Sequence, residues 1–189
     1  MKKVRSTRPT RRSLLRGFAA AAVTAAPTFS HAAGFLRGSG DIRRLRILCA
    51  RSGEAVDTIY WVDGAYIPEA LSEVDTVMRD WRTGEIRQID PRTIDILAAT
   101  HALLEVTEPY LLLSGYRCPK TNAKLRKGSD QVAKNSFHMK GMAADVRLVS
   151  RSVEQLAFAG TTCAAGGVGR YSSSGFVHLD SGPLRNWGR

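Results

Sequence analysis

Apolar and polar positions alternate over residues 44–50 and 55–62, which predicts two strands joined across Arg51-Ser52-Gly53-Glu54, with a second turn at Asp63-Gly64. Beyond Pro68 the period changes. Leu71, Val74, Val77, Met78 and Trp81 recur three and four residues apart, so the spacing predicts a helix over 67–81, which Gly84 breaks. Asp90-Pro91 opens a further helix, since an acceptor side chain followed by proline suits a first turn. Its apolar face runs through Ile94, Leu97, Ala98, His101 and Leu104. Residues 110–113 read as a short apolar strand ended by Ser114-Gly115, 119–127 as a short surface helix, and 128–137 as polar loop. A strand at 143–149, a helix at 153–164 and a terminal hairpin at 168–171 and 175–180 complete the pattern. The expected fold class is α+β: a single domain with N-terminal helices packed on a mostly antiparallel sheet that can carry a site on one face.

The first 33 residues follow a different pattern. A basic stretch ends at Arg11-Arg12-Ser13-Leu14-Leu15, an apolar run follows from Gly17 to Ala26, and small residues around Ser30-His31-Ala32-Ala33 offer a cleavage point. These are the three parts of an export signal, and the paired arginines match the twin-arginine type. The apolar run is too short for the ~20 residues that cross a bilayer, so no stable membrane span is expected. Residues 1–33 read as a twin-arginine signal peptide, 34–41 as a glycine-rich linker, and 42–189 as the folded domain, placed in the periplasm.

This leader changes how the charge is read. The chain carries a formal +11, but seven of its 28 basic residues and none of its acids lie in residues 1–33, which leaves a mild positive bias of +4. With no recognition motif, nucleic-acid binding has little support. Three cysteines, Cys49, Cys118 and Cys163, are an odd number without a C-x-x-C pair. A domain that folds before export does so in a reducing compartment, so they are expected as small buried hydrophobes, with Cys118 left open by its place beside Arg117.

The chemistry concentrates in three residues. Zinc in a catalytic site takes three ligands from His, Asp or Glu and keeps one position open. His138 ends the polar loop, Asp145 follows on a strand after six intervening residues, and Lys140-Gly141 between them permits a tight turn. On the last strand, alternation puts Phe176, His178 and Asp180 on one face. His101, on an apolar helix face, is expected to be a structural histidine.

Four blocks in order extend this reading: Ser114-Gly115-Tyr116-Arg117, Ser136 to Asp145, Gly166-Gly167-Val168-Gly169, and Phe176 to Pro183. Together they resemble the superfamily of zinc D-Ala-D-Ala peptidases, lysostaphin-type enzymes and the hedgehog fold, and within it the MepK-type murein endopeptidases. The likeness spans nearly all of the mature chain, including Trp187. It implies that His138, Asp145 and His178 bind Zn2+ and that Arg117 holds a carboxylate or carbonyl of the substrate, peptidoglycan stem peptides. It also implies hydrolysis of peptide cross-links in the cell wall. Many relatives place a histidine two residues before the last ligand or an acid three before it; Phe176 and Gly175 stand there instead. Asp180 is the nearest acid on that strand face, expected either to activate water as a catalytic base or to orient a ligand. A zinc-stabilised wall-binding module without catalysis and a D,D-carboxypeptidase are the alternatives.

Overall fold

The computed structural model describes residues 42–188, so the expected leader and linker lie outside the described residues. Eight strands form one sheet: β1 (Ile42–Cys49), β2 (Ala55–Val62), β3 (Ala65–Tyr66), β4 (Tyr110–Ser114), β5 (Ala143–Arg147), β6 (Gly167–Tyr171), β7 (Phe176–Asp180) and β8 (Arg185–Gly188), in the spatial order β3-β2-β1-β4-β5-β7-β6-β8. Four α-helices accompany it: α1 (Pro68–Val77), α2 (Pro91–Leu103), α3 (Pro119–Gly128) and α4 (Val153–Thr162). Among the described residues no helix is long and apolar enough to cross a membrane.

Five of the seven strand pairings among the described residues are antiparallel, in line with the mostly antiparallel expectation, and two make the sheet mixed: β1 runs parallel to β4, and β6 parallel to β8. The physical reason is connection length. A parallel neighbour needs a long crossover, and the chain between β1 and β4 contains the β2–β3 turn and both α1 and α2. The strands β3 and β8 were not anticipated, because two and four residues are too few to show a period of two.

α2 is the central helix. Residues Thr93 through Thr100 are buried on every face, beyond the single stripe that the spacing predicted, because the helix packs against β1, β7 and α4 together. Full burial of a side chain such as Leu97 or Ile94 is worth roughly 1.5–3 kcal/mol. One carboxylate, Asp95, lies among them, and each of its oxygens has a donor: Arg43 Nη1 at 3.0 Å and Tyr60 Oη at 2.9 Å on Oδ1, Tyr66 Oη at 2.7 Å on Oδ2. Asp90 caps this helix by accepting from Arg92 N at 3.0 Å.

α1 stops at Val77, short of the predicted Trp81, because the next backbone groups have other partners. The Met78 carbonyl accepts from Tyr116 N at 2.7 Å, and the buried Asp80 accepts from Cys118 N at 3.0 Å. These bonds bring the segment after β4 against the end of α1. The approach requires glycine at 115, where a Cβ would lie 2.3 Å from the Met78 carbonyl oxygen. The three cysteines are free and buried, and Cys118 acts as the N-cap of α3, its sulfur accepting from Thr121 N at 3.4 Å.

Candidate metal centre and cleft

Sheet register decides which side chains meet. β5 and β7 are antiparallel neighbours with Asp145 directly opposite His178, and Ser114 at the end of β4 pairs with Asp145 from the other side. His138 arrives from a 3-10 turn at Phe137–Lys140 just before β5. Gly141 ends that turn at φ +69°, and a Cβ there would lie 2.4 Å from the Gln88 carbonyl oxygen, so glycine is required on both counts. Two hydrogen bonds tie the turn to the chain leaving β4: Arg117 N donates to the His138 carbonyl at 3.2 Å, and His138 Nδ1 donates to the Gly115 carbonyl at 2.7 Å.

The outcome is a buried triad. His138 Nε2, His178 Nδ1 and Asp145 Oδ1 lie 3.1, 3.2 and 2.8 Å from one another, taken in the order His–His, His138–Asp and His178–Asp. In a tetrahedral zinc site with bonds of about 2.0–2.1 Å, ligand atoms stand about 3.3 Å apart. The outward bonds set the tautomers. A carbonyl only accepts, so His138 carries its proton on Nδ1 and turns a bare Nε2 inward. His178 Nε2 lies 2.9 Å from Asp180 Oδ2, which leaves Nδ1 as its inward atom. Three electron-pair donors thus face one point, and the arrangement fits a divalent cation.

Electrostatics agree. Burial is the largest influence on His138 and lowers its pKa to about 4, with Arg117 adding to the effect and Asp145 opposing it, so the ring is neutral at pH 7. For His178 burial opposes protonation, but hydrogen bonds to Asp145 and Asp180 outweigh it and raise the pKa above the usual histidine value. Burial would raise Asp145, yet the histidines and Arg117 hold it well below the usual carboxylate range. At pH 7 His138 is therefore neutral and Asp145 ionised, the forms in which each offers an electron pair to a cation.

Arg117 reaches the same cluster. Its Nε donates to Ser114 Oγ at 2.8 Å, and its Nη2 pairs with Asp145 Oδ2 and lies 3.1 Å from His138 Nε2. Asp180, by contrast, is fully buried and does not line the cleft. Its Oδ1 accepts from Gly167 N, Gly182 N and Arg185 Nη1, and its Oδ2 from His178 Nε2 and Arg185 Nη2. Burial pushes its pKa up, but bonds from His178 and Arg185 prevail and lower it to about 2. His101 stands apart from the cleft, its Nε2 2.7 Å from the Glu108 carbonyl, in the structural place expected for it.

The cleft beside the triad has a volume of about 500 Å³. The polar loop forms one wall through Gln131 and Asn135, and Tyr171, Phe176 and Trp187 line it as well. The Trp187 ring stands 5.4 Å from that of His178 and its Nε1 donates to Tyr171 Oη at 3.1 Å. Sequence reasoning missed Ser114 as the anchor of Arg117 and missed Arg185 entirely. Its signal was only its place in Gly182-Pro183-Leu184-Arg185, five residues beyond Asp180.

A family model described as peptidoglycan L,D-endopeptidase MepK matches residues 37–187. The chain belongs to this family. It is 39% identical over 136 residues to the peptidoglycan L,D-endopeptidase MepK of Escherichia coli (strain K12), covering 72% of this chain and 75% of that one. It is also 34% identical over 146 residues to the probable peptidoglycan L,D-endopeptidase MepK of Haemophilus influenzae, covering 75% and 78% respectively. Three of the four sequence blocks line this cleft, through Arg117, through Ser136 to His138 with Asp145, and through Phe176 and His178, while the Gly166–Gly169 block supports it from behind, where Gly167 N donates to Asp180 Oδ1 at 3.2 Å.

Proposed function

We propose that this protein is a zinc-dependent peptidoglycan endopeptidase that hydrolyses an L,D amide in the peptide cross-links of the cell wall. The observation that carries the reading is the convergence of His138 Nε2, His178 Nδ1 and Asp145 Oδ1 on one point at the floor of a cleft. The names of the relatives supply the substrate. Of the two cross-links to consider, D-alanine to diaminopimelate joins two D centres, whereas diaminopimelate to diaminopimelate joins an L centre to a D centre. The second fits an L,D-endopeptidase.

His138, Asp145 and His178 would hold the zinc. Bound there, zinc supplies Lewis acidity: it polarises a scissile carbonyl and lowers the pKa of a water toward ~7. Arg117 positions the peptide, since its guanidinium is fixed by Ser114 against the ligand cluster and a carbonyl drawn to that cluster comes within its reach. Asp180 takes the second of its two expected roles. Buried behind His178 and saturated with donors, it is a positioning residue that fixes the ring with Nδ1 inward, as carboxylates behind metal-binding histidines do. Asp180→Asn is expected to weaken zinc binding about 10-fold to 100-fold, measured by competition with a fluorescent chelator. Unchanged affinity would remove the positioning role.

Residues 1–33 are assigned as a twin-arginine leader that delivers the domain to the periplasm, where the substrate lies. The enzymatic reading is tested by muropeptide analysis of cross-linked peptidoglycan incubated with residues 34–189, with and without chelator. Chelator-sensitive loss of diaminopimelate-linked dimers is the expected result. Intact dimers after incubation with folded, zinc-loaded protein would leave the wall-binding module as the better account, and loss of terminal D-alanine alone would favour a carboxypeptidase.

A further inference from the structure

Among the described residues two guanidinium groups line the cleft, and they are committed in different ways. Arg117 engages through Nε and Nη2, to Ser114 on one atom and to Asp145 and His138 on the other, which leaves Nη1. A single terminal nitrogen suits a carbonyl oxygen. Arg185 instead turns its two terminal nitrogens to Asp180, Nη1 to Oδ1 at 3.0 Å and Nη2 to Oδ2 at 2.6 Å, with Nη1 also donating to the Pro183 carbonyl at 3.0 Å. That pairing uses one edge of the five-donor fork. The adjacent edge, made of Nε–H and the second Nη2 hydrogen, has no hydrogen-bond partner among the described residues.

The group carrying that edge is held in place. Asp180 behind it is fully buried, while the Arg185 side chain remains 37% exposed and lines the cleft of the triad. Its guanidinium carbon lies 5.0 Å from the ring centre of Phe137 and 4.9 Å from that of Trp187, so two aromatic faces restrict its plane. A planar fork with a free edge matches a carboxylate, which accepts two parallel N–H bonds. Among the described residues, no carboxylate apart from Asp145 lines this cleft to compete for it.

We propose that Arg185 forms a carboxylate-binding subsite in the cleft, its Nε–Nη2 edge taking a free diaminopimelate carboxylate that flanks the scissile amide. The inference rests on the peptidase reading and adds the recognition of substrate charge to it. Two diaminopimelates joined through one amide keep a free carboxylate on each side of it, whereas D-alanine contributes none on the carbonyl side. Placed on the carbonyl side of the amide, such a subsite accepts the cross-link between two diaminopimelates and not the one formed by D-alanine; placed on the amine side, it accepts both.

The test compares two synthetic cross-linked dimers, one with free diaminopimelate carboxylates and one with carboxamides in their place. Each is offered to zinc-loaded residues 34–189 and to the same protein carrying Arg185→Gln. The unsubstituted protein is expected to prefer the carboxylate dimer about 10-fold to 100-fold in kcat/KM, the scale of a charge-assisted bond, with the difference carried by KM. In Arg185→Gln that ratio falls toward one. The ratio is the readout because any disturbance of His178 through Asp180 slows both dimers alike. Equal cleavage of the two dimers by the unsubstituted protein overturns the subsite and leaves the peptidase reading intact. A ratio unchanged by Arg185→Gln overturns it as well. Cleavage of neither dimer by zinc-loaded protein overturns the peptidase reading itself.

Discussion

His138→Ala is expected to leave less than stoichiometric zinc in the purified protein and to cut cross-link hydrolysis by on the order of 10³-fold or more, the scale seen when one member of a group acting as a unit is removed. The expectation follows from where His138 sits. It supplies one of three converging atoms, and its ring is 2% exposed, so solvent offers no replacement with the same geometry. The substitution has a second consequence, because the Gly115 carbonyl loses the donor that His138 Nδ1 provides at 2.7 Å. Leaving a buried acceptor unpaired costs about 1–3 kcal/mol, so the melting temperature falls as well. Metal analysis, circular dichroism and muropeptide release on one preparation separate these effects. A folded His138→Ala protein with a full complement of zinc and undiminished cleavage would overturn the assignment of the metal centre.

Arg117→Ala is expected to reduce kcat/KM about 10²-fold to 10³-fold, the range for loss of one preorganised donor at a reacting carbonyl, while zinc content stays near that of the unsubstituted protein. The split is the informative part. Arg117 touches Asp145 through Oδ2, but Asp145 meets the histidines through Oδ1, so the ligand set survives its loss. Arg117→Lys is expected to restore little, because an ammonium cannot reach Ser114 and Asp145 from one rigid plane. Kinetics on a cross-linked dimer together with metal analysis check both variants. Loss of zinc in parallel with activity would make Arg117 a support for Asp145 instead of a group that meets substrate.

Much of this site was legible in the chain before folding. The alternation Phe176, His178, Asp180 placed one histidine and one acid on a common strand face, and the structure has them on β7 with a bond between them. His138 and Asp145 were readable as a turn residue and a strand residue because Gly141 marks the sharp reversal between them. The leader cannot be compared, since residues 1–41 lie outside the described residues. What escaped reading is short or distant. β8 has four residues and no period, yet its pairing with β6 is what brings Arg185 and Trp187 to the cleft. The end of α1 was misplaced because local spacing cannot register that the Met78 carbonyl is claimed by Tyr116, thirty-eight positions later.

The sequence by itself determined the types of element, the donor atoms available for a metal, and the family, because periodicity and residue chemistry are local properties of the chain. Tertiary structure alone decided the parallel pairing of β1 with β4, the register that sets Asp145 opposite His178, and the burial of Asp180 behind the metal centre. Those are relations between residues far apart in the chain. They are fixed by which strands become neighbours and by how α2 packs among them, and no single segment carries that information.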